Sequence, residues 1–180
     1  MPGFEILGPE EKKAINKLFE EGGILFAHGF ANQRKKYHVR EFEKELTKKF
    51  KTKFSLPVSN GTSAIKIALR SLGVKPGDEV ITQSFNFIAT VEAIVDVGAK
   101  PIICNINETL NMDVVDLKKK ITKKTKGLLL INVLGISSNL FKISKFAQKK
   151  KLIVIEDNCE SLGSKLRSKF LGTFGDFSSF

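Results

Sequence analysis

The chain has 180 residues, enough for one domain with a real core, and its 42% hydrophobic share fits a globular chain. No apolar run approaches the roughly 18 residues that span a bilayer, which excludes a membrane-spanning reading. The net charge of +11 is carried by basic clusters at Arg34–Lys36, Lys48–Lys53, Lys118–Lys126 and Lys149–Lys151, set at helix ends and turns; that spread predicts a solvated surface, with neither nucleic acid nor a membrane as partner.

Taken in chain order, Ala14, Ile15, Leu18 and Phe19 fall on one face of a helix over Pro9–Glu21, ended by Gly22-Gly23. Ile24–Tyr37 reads as a loop. Phe42, Leu46 and Phe50 recur at helical spacing and predict a helix over Val39–Phe50. Lys53–Val58 reads as a short strand, Ser59–Ser63 as a turn, and Ala64–Leu72 as a helix. Pro76-Gly77-Asp78 marks a turn before a strand that begins over Glu79–Thr82. Then follow a helix over Phe87–Val97 ended by Gly98, a strand over Pro101–Asn105, and a helix over Val114–Ile121. Gly127–Val133 is a strongly apolar strand, Gly135–Asn139 a turn, Leu140–Lys150 a helix and Leu152–Ile155 the next strand. The last residues, Gly175–Phe180, look like part of a further strand. This alternation predicts an α/β fold with a mostly parallel sheet flanked by helices. The N-terminus lacks the basic-then-apolar order of a signal peptide, so a cytoplasmic location is expected. Reduced thiols are expected at Cys104 and Cys159, and no metal site is expected, because no Cys and His spacing suggests one.

Leu152–Ile155 is the most telling segment. A continuous, largely β-branched run suits a strand covered on both faces, and ligands in such sheets bind past the strands' carboxyl ends. Glu156, Asp157 and Glu160 fall there. Asp157 could hold a protonated ring nitrogen or simply cap a helix or end a strand. Ser59-Asn60-Gly61-Thr62-Ser63 stands between a strand and a helix. Its hydroxyls and N–H groups suit a phosphate, or a plain N-cap. Phe85 and Phe87 could stack on a flat ring or pack in the core. Cys159 reads as a small buried residue, and His28 and His38 as surface or packing residues.

Seven segments together resemble one family: Ser59–Ala64, Pro76–Thr82, Phe87–Thr90, Val97–Pro101, Ile121–Lys126, Ile155–Asp157 and Gly172–Asp176. In order and spacing they look like the DegT/DnrJ/EryC1/StrS aminotransferases, from about Gly8 to the last residue. The resemblance implies fold type I of the pyridoxal phosphate (PLP)-dependent transferases, with residues 1–180 as the N-terminal part of the PLP-binding large domain. The C-terminal small domain is then absent. It implies amino transfer, usually from glutamate, to a nucleotide-linked keto-sugar in sugar or polysaccharide biosynthesis, and a homodimer when complete. It places Gly61, Thr62 and Ser63 at the cofactor phosphate, Phe87 on the pyridine ring, Asp157 on the ring nitrogen and Glu160 near the phenolic oxygen.

Two departures from the family pattern stand out. Glu160 replaces the usual Gln or His, and the form Asp157-Asn-Cys-Glu160 is similar to the family's 3-dehydrase branch. The Ser-Phe-x-x-x-Lys segment with the Schiff-base lysine is expected beyond Phe180. The catalytic lysine is therefore unknown here, and the 180-residue chain alone is expected to be inactive. The alternatives are a sugar 3-dehydrase and a non-catalytic binding or dimerising fragment.

Overall fold

The computed structural model describes residues 6–26, 28–33, 36–137 and 139–180. The N-terminal segment 1–5, Ala27, Arg34 and Lys35 of the first basic cluster, and Ser138 of the predicted 135–139 turn lie outside them. The chain divides into two units, Met1–Pro57 and Val58–Phe180.

In the first unit, helix α1 covers Pro9–Glu20 and helix α2 covers His38–Phe50. Pro9 opens α1, where a missing N–H costs nothing, and Glu10 and Glu11 sit in its first turn, where the helix dipole favours acids. Glu11 also accepts the Gly8 N–H at 2.7 Å. Lys51, in a left-handed conformation, ends α2. The predicted strand at 53–58 does not form. Its alternating side chains find no neighbouring strand, Phe54 is 87% exposed, and Pro57 lacks a ladder N–H.

The second unit holds the sheet. Its strands are β1 (Glu79–Gln83), β2 (Lys100–Cys104), β3 (Thr125–Ile131), β4 (Ile153–Asp157) and β7 (Phe177–Ser179), in the order β2-β1-β3-β4-β7 and all parallel. A short antiparallel hairpin, β5 (Lys165–Leu166) and β6 (Lys169–Phe170), precedes β7. The helices are α3 (Gly61–Ser71), α4 (Ile88–Asp96), α5 (Val114–Lys120) and α6 (Leu140–Lys150). The chain leaves β1 for β2 on one side and then crosses back to β3 on the other, so β1 and β3 flank a topological switch point.

Two cores cover the sheet. Ile65, Leu69, Ala93 and Ile94 of α3 and α4 pack with Val80, Leu129 and Ile155 on one face. Leu117, Leu140, Ile143 and Ala147 of α5 and α6 pack with Ile81, Leu128, Leu130 and Val154 on the other. Each fully buried Leu or Ile contributes about 1.5–3 kcal/mol. Because side chains alternate along a strand, Ile155 and Asp157 share the α3/α4 face, while Val154 and Glu156 share the α5/α6 face.

Candidate functional site

The adjacent acids that end β4 are thus sent to opposite sides of the sheet. Asp157 is the last residue of the strand, not a helix cap. Its carboxylate is nearly buried and accepts from the Thr90 hydroxyl of α4 at 3.4 Å, the Ser179 hydroxyl of β7 at 3.3 Å and the Cys159 N–H at 3.2 Å. Glu156 is fully buried on the other face. It accepts the N–H groups of Gly172 at 2.8 Å, Phe174 at 2.6 Å and Gly175 at 2.7 Å, and the Asn132 amide at 3.2 Å. Glu156 therefore fastens the 172–175 turn, and through it β7, to β4.

Helix α3 begins earlier than its apolar pattern suggests because Asn60 caps it. The Asn60 side chain accepts the Ser63 N–H at 2.8 Å. Ser63 so spends its N–H inside the chain, and its hydroxyl lies 3.5 Å from that of Ser59. Among the described residues, the Gly61 and Thr62 N–H groups and the Thr62 hydroxyl have no hydrogen-bond partner. A Cβ at Gly61 would meet the Cys159 Sγ at 2.7 Å, so a larger residue there would make the thiol shift. That close approach brings the start of α3 to the segment that follows Asp157.

Phe87 is the residue before α4 and is 74% exposed, with Phe85 exposed nearby in sequence, so neither ring serves the core. Thr90, one turn into α4, reaches Asp157 and ties the start of that helix to the end of β4. Glu160 accepts the Leu134 N–H at 3.3 Å, which fixes it to the turn after β3. Cys104 and Cys159 are both free thiols; Cys104 is buried, but Cys159 is exposed rather than the buried residue expected, because it follows the end of β4 and leaves the core. Partial desolvation, and then the Asp157 carboxylate, push the Cys159 thiol up to about 12, so it stays protonated and is a poor nucleophile.

Asp157, Thr90, Cys159 and Gly61 are directly connected, and Glu160 follows three residues on. Thr90 and Ser179, which hold the Asp157 carboxylate, carry no sequence signal of their own, being hydroxyl residues inside a helix and a strand. The donor set suits a pyridine ring that bears a phosphate. Free N–H groups at a helix start take a dianion. An acceptor-only carboxylate takes a ring N–H. An exposed aromatic offers a flat face.

The sequence profile of the DegT/DnrJ/EryC1/StrS aminotransferase family matches residues 25–180. GDP-perosamine synthase of Escherichia coli O157:H7 is 37% identical over 172 residues, which are 95% of this chain and 45% of that protein. An aminotransferase from Psychrobacter cryohalolentis superposes with a TM-score of 0.87 at 28% identity, covering 98% of this chain and 42% of the other. The E. coli GDP-4-keto-6-deoxy-D-mannose-3-dehydratase with bound hydrated PLP superposes with a TM-score of 0.81 at 30% identity, covering 94% of this chain and 43% of the other. The chain spans just under half the length of the curated relatives it matches. Its parallel sheet with helices on both faces is the one expected of a PLP-dependent transferase. With a family match over residues 25–180 and these neighbours, the chain belongs to the DegT/DnrJ/EryC1/StrS aminotransferase family.

Proposed function

We propose that residues 1–180 form the N-terminal part of the cofactor-binding large domain of a PLP-dependent aminotransferase that acts on a nucleotide-linked keto-sugar. The observation that carries this reading is the meeting of three elements at one end of the sheet. The β4 carboxylate Asp157 is bonded to Thr90 of α4, and Cys159 lies against Gly61 at the start of α3. When bound, PLP supplies an electron sink for a substrate carbanion.

Asp157 takes the ring N–H and holds the proton there, because a nearby negative charge favours the protonated nitrogen. The Gly61 and Thr62 N–H groups and the Thr62 hydroxyl hold the phosphate, with Ser63 as the anchored end of the same turn. Phe87 covers one ring face and excludes water from it. Glu160, held by the Leu134 N–H, would be the acid nearest the cofactor's phenolic oxygen, as the family resemblance implies. The amino donor is glutamate.

The complete protein, given PLP, glutamate and a GDP-linked 4-keto-6-deoxy sugar, should release 2-oxoglutarate and form an amino sugar. The likeness to the 3-dehydratase, and the acid at Glu160, favour one second reading. A 3-deoxy product formed with glutamate supplied only to regenerate the amine would establish that reading and remove the first.

We also infer a homodimer for the complete protein. Leu25 and Phe26 are exposed in the loop after α1, and Phe26 stacks on Phe30 at 5.6 Å. Such an apolar group calls for a cover. Light scattering should give twice the protomer mass at micromolar concentration, and a monomer at that concentration would refute the inference.

A further inference from the structure

The positive charge is not shared evenly along the chain. Residues 117–175 hold fourteen Lys and Arg and three acids, whereas the remainder holds sixteen of each, so the whole excess lies in this stretch. Two of those acids, Glu156 and Asp157, are buried, and no acid occurs from Leu117 to Ile155. The fold then puts the helices of this stretch, α5 beyond its first turn and α6, on a single face of the sheet.

Stacked pairs carry the charge across that face. The Lys118 Nζ lies 6.0 Å from the centre of the Phe146 ring and joins α5 to α6. Arg167, at the tip of the β5–β6 hairpin, lies 5.2 Å from the Phe141 ring of α6. Phe141 meets Phe174 edge-on at 5.0 Å, and the Lys169 Nζ sits 4.3 Å from Phe174. The Lys165 Nζ sits 4.5 Å from Phe170. Rings in these positions hold cations by their quadrupoles without neutralising them. Among the described residues, Lys120 with Asp116, at 4.0 Å, is the one ion pair that involves this stretch.

We propose that this face docks reversibly on an anionic lipid bilayer. Two features favour lipid over nucleic acid. Thirteen of the fourteen cations are lysines, mobile point charges that suit a diffuse layer of headgroups rather than bidentate phosphate recognition. The aromatic rings are covered by the chain's own cations, so they offer no stacking platform for bases. A basic patch with no inserted chain binds weakly and is released by salt. The face lies on the side of the sheet away from Asp157, so docking leaves the proposed cofactor site open, and the inference does not depend on the catalytic reading. It amends the expectation of a merely solvated surface.

The test is cosedimentation of the complete protein with vesicles of phosphatidylglycerol and phosphatidylcholine, and with phosphatidylcholine alone. The protein should pellet with the first at low salt, stay free with the second, and be released by high salt. Changing Lys118→Gln, Lys142→Gln and Lys165→Gln together, one each on α5, α6 and the hairpin, should weaken binding about a hundredfold, since each lysine near an anionic surface contributes roughly fivefold. Each single variant should lose about fivefold with an unchanged melting curve, so the result does not hang on the triple variant folding. Failure to pellet with the anionic vesicles, equal pelleting with phosphatidylcholine, or full binding by the variants would overturn the proposal. So would duplex DNA that displaces the vesicles at the same salt, which would assign the face to nucleic acid.

Discussion

Glu156→Ala should abolish folding or lower stability by about 4 kcal/mol or more, the largest effect of any single change at the end of β4. The carboxylate is fully buried and accepts three backbone N–H groups and one amide. Removing it strands four donors, those of Gly172 and Asn132 buried and those of Phe174 and Gly175 part-buried, at about 1–3 kcal/mol each. A domain has only about 5–15 kcal/mol in total. No neighbour can replace it: Gly175 already packs against the Val154 carbonyl, which its own Cβ would meet at 2.5 Å, and Asp176 is engaged with the Val154 N–H at 2.8 Å. Glu156→Gln keeps the shape and one acceptor oxygen but loses the charge, and should fall between the two. Urea unfolding followed by circular dichroism measures both variants. A wild-type midpoint for the alanine variant would show that the 172–175 turn does not depend on Glu156.

Asp157→Ala should leave the complete protein folded but reduce amino transfer about ten- to a hundredfold, the worth of one charge-assisted hydrogen bond to the ring nitrogen at about 1.5–3 kcal/mol. The residue's partners are two hydroxyls at 3.4 and 3.3 Å and one N–H at 3.2 Å. These are long bonds at the carboxyl end of β4, where hydroxyls can turn to other acceptors, so the structural cost is smaller than at Glu156. Asp157→Asn should fold as the wild type does and show a similar loss, because an amide cannot hold the proton on the nitrogen. Single-turnover rates with glutamate at saturating PLP, with a melting curve for each variant, separate the two roles. Near-wild-type turnover in Asp157→Ala would remove Asp157 from the cofactor.

The contrast between these neighbours explains what the sequence could show. The run Leu152–Ile155 announces a buried strand, but it is apolar at every position. It gives no alternation from which to assign a face, so nothing in it separates Glu156 from Asp157. The separation comes from partners 16 to 19 residues later for Glu156 and 67 residues earlier for Asp157. Helices α1, α2 and α6 were legible because their apolar spacing is complete within the segment. The start of α3 is legible only if Asn60 is read as its cap, since Gly61, Thr62 and Ser63 look like turn residues. The 53–58 stretch shows the opposite limit. Alternation is necessary for a half-buried strand, but pairing needs a neighbour that the segment itself cannot specify. The two-residue strands β5 and β6, joined through Arg167 at φ 58°, are too short to leave a pattern. The excess of lysine between Leu117 and Gly175 can be counted in the sequence, but its gathering on one face needs the sheet layers.

A crystal structure of the complete protein grown with PLP tests the central claim most directly. The ring nitrogen should lie about 2.6–3.2 Å from an Asp157 carboxylate oxygen, the phosphate on the Gly61 and Thr62 N–H groups, and the Phe87 ring against one face. PLP bound with its ring nitrogen facing any other group, or its phosphate away from the start of α3, would contradict it.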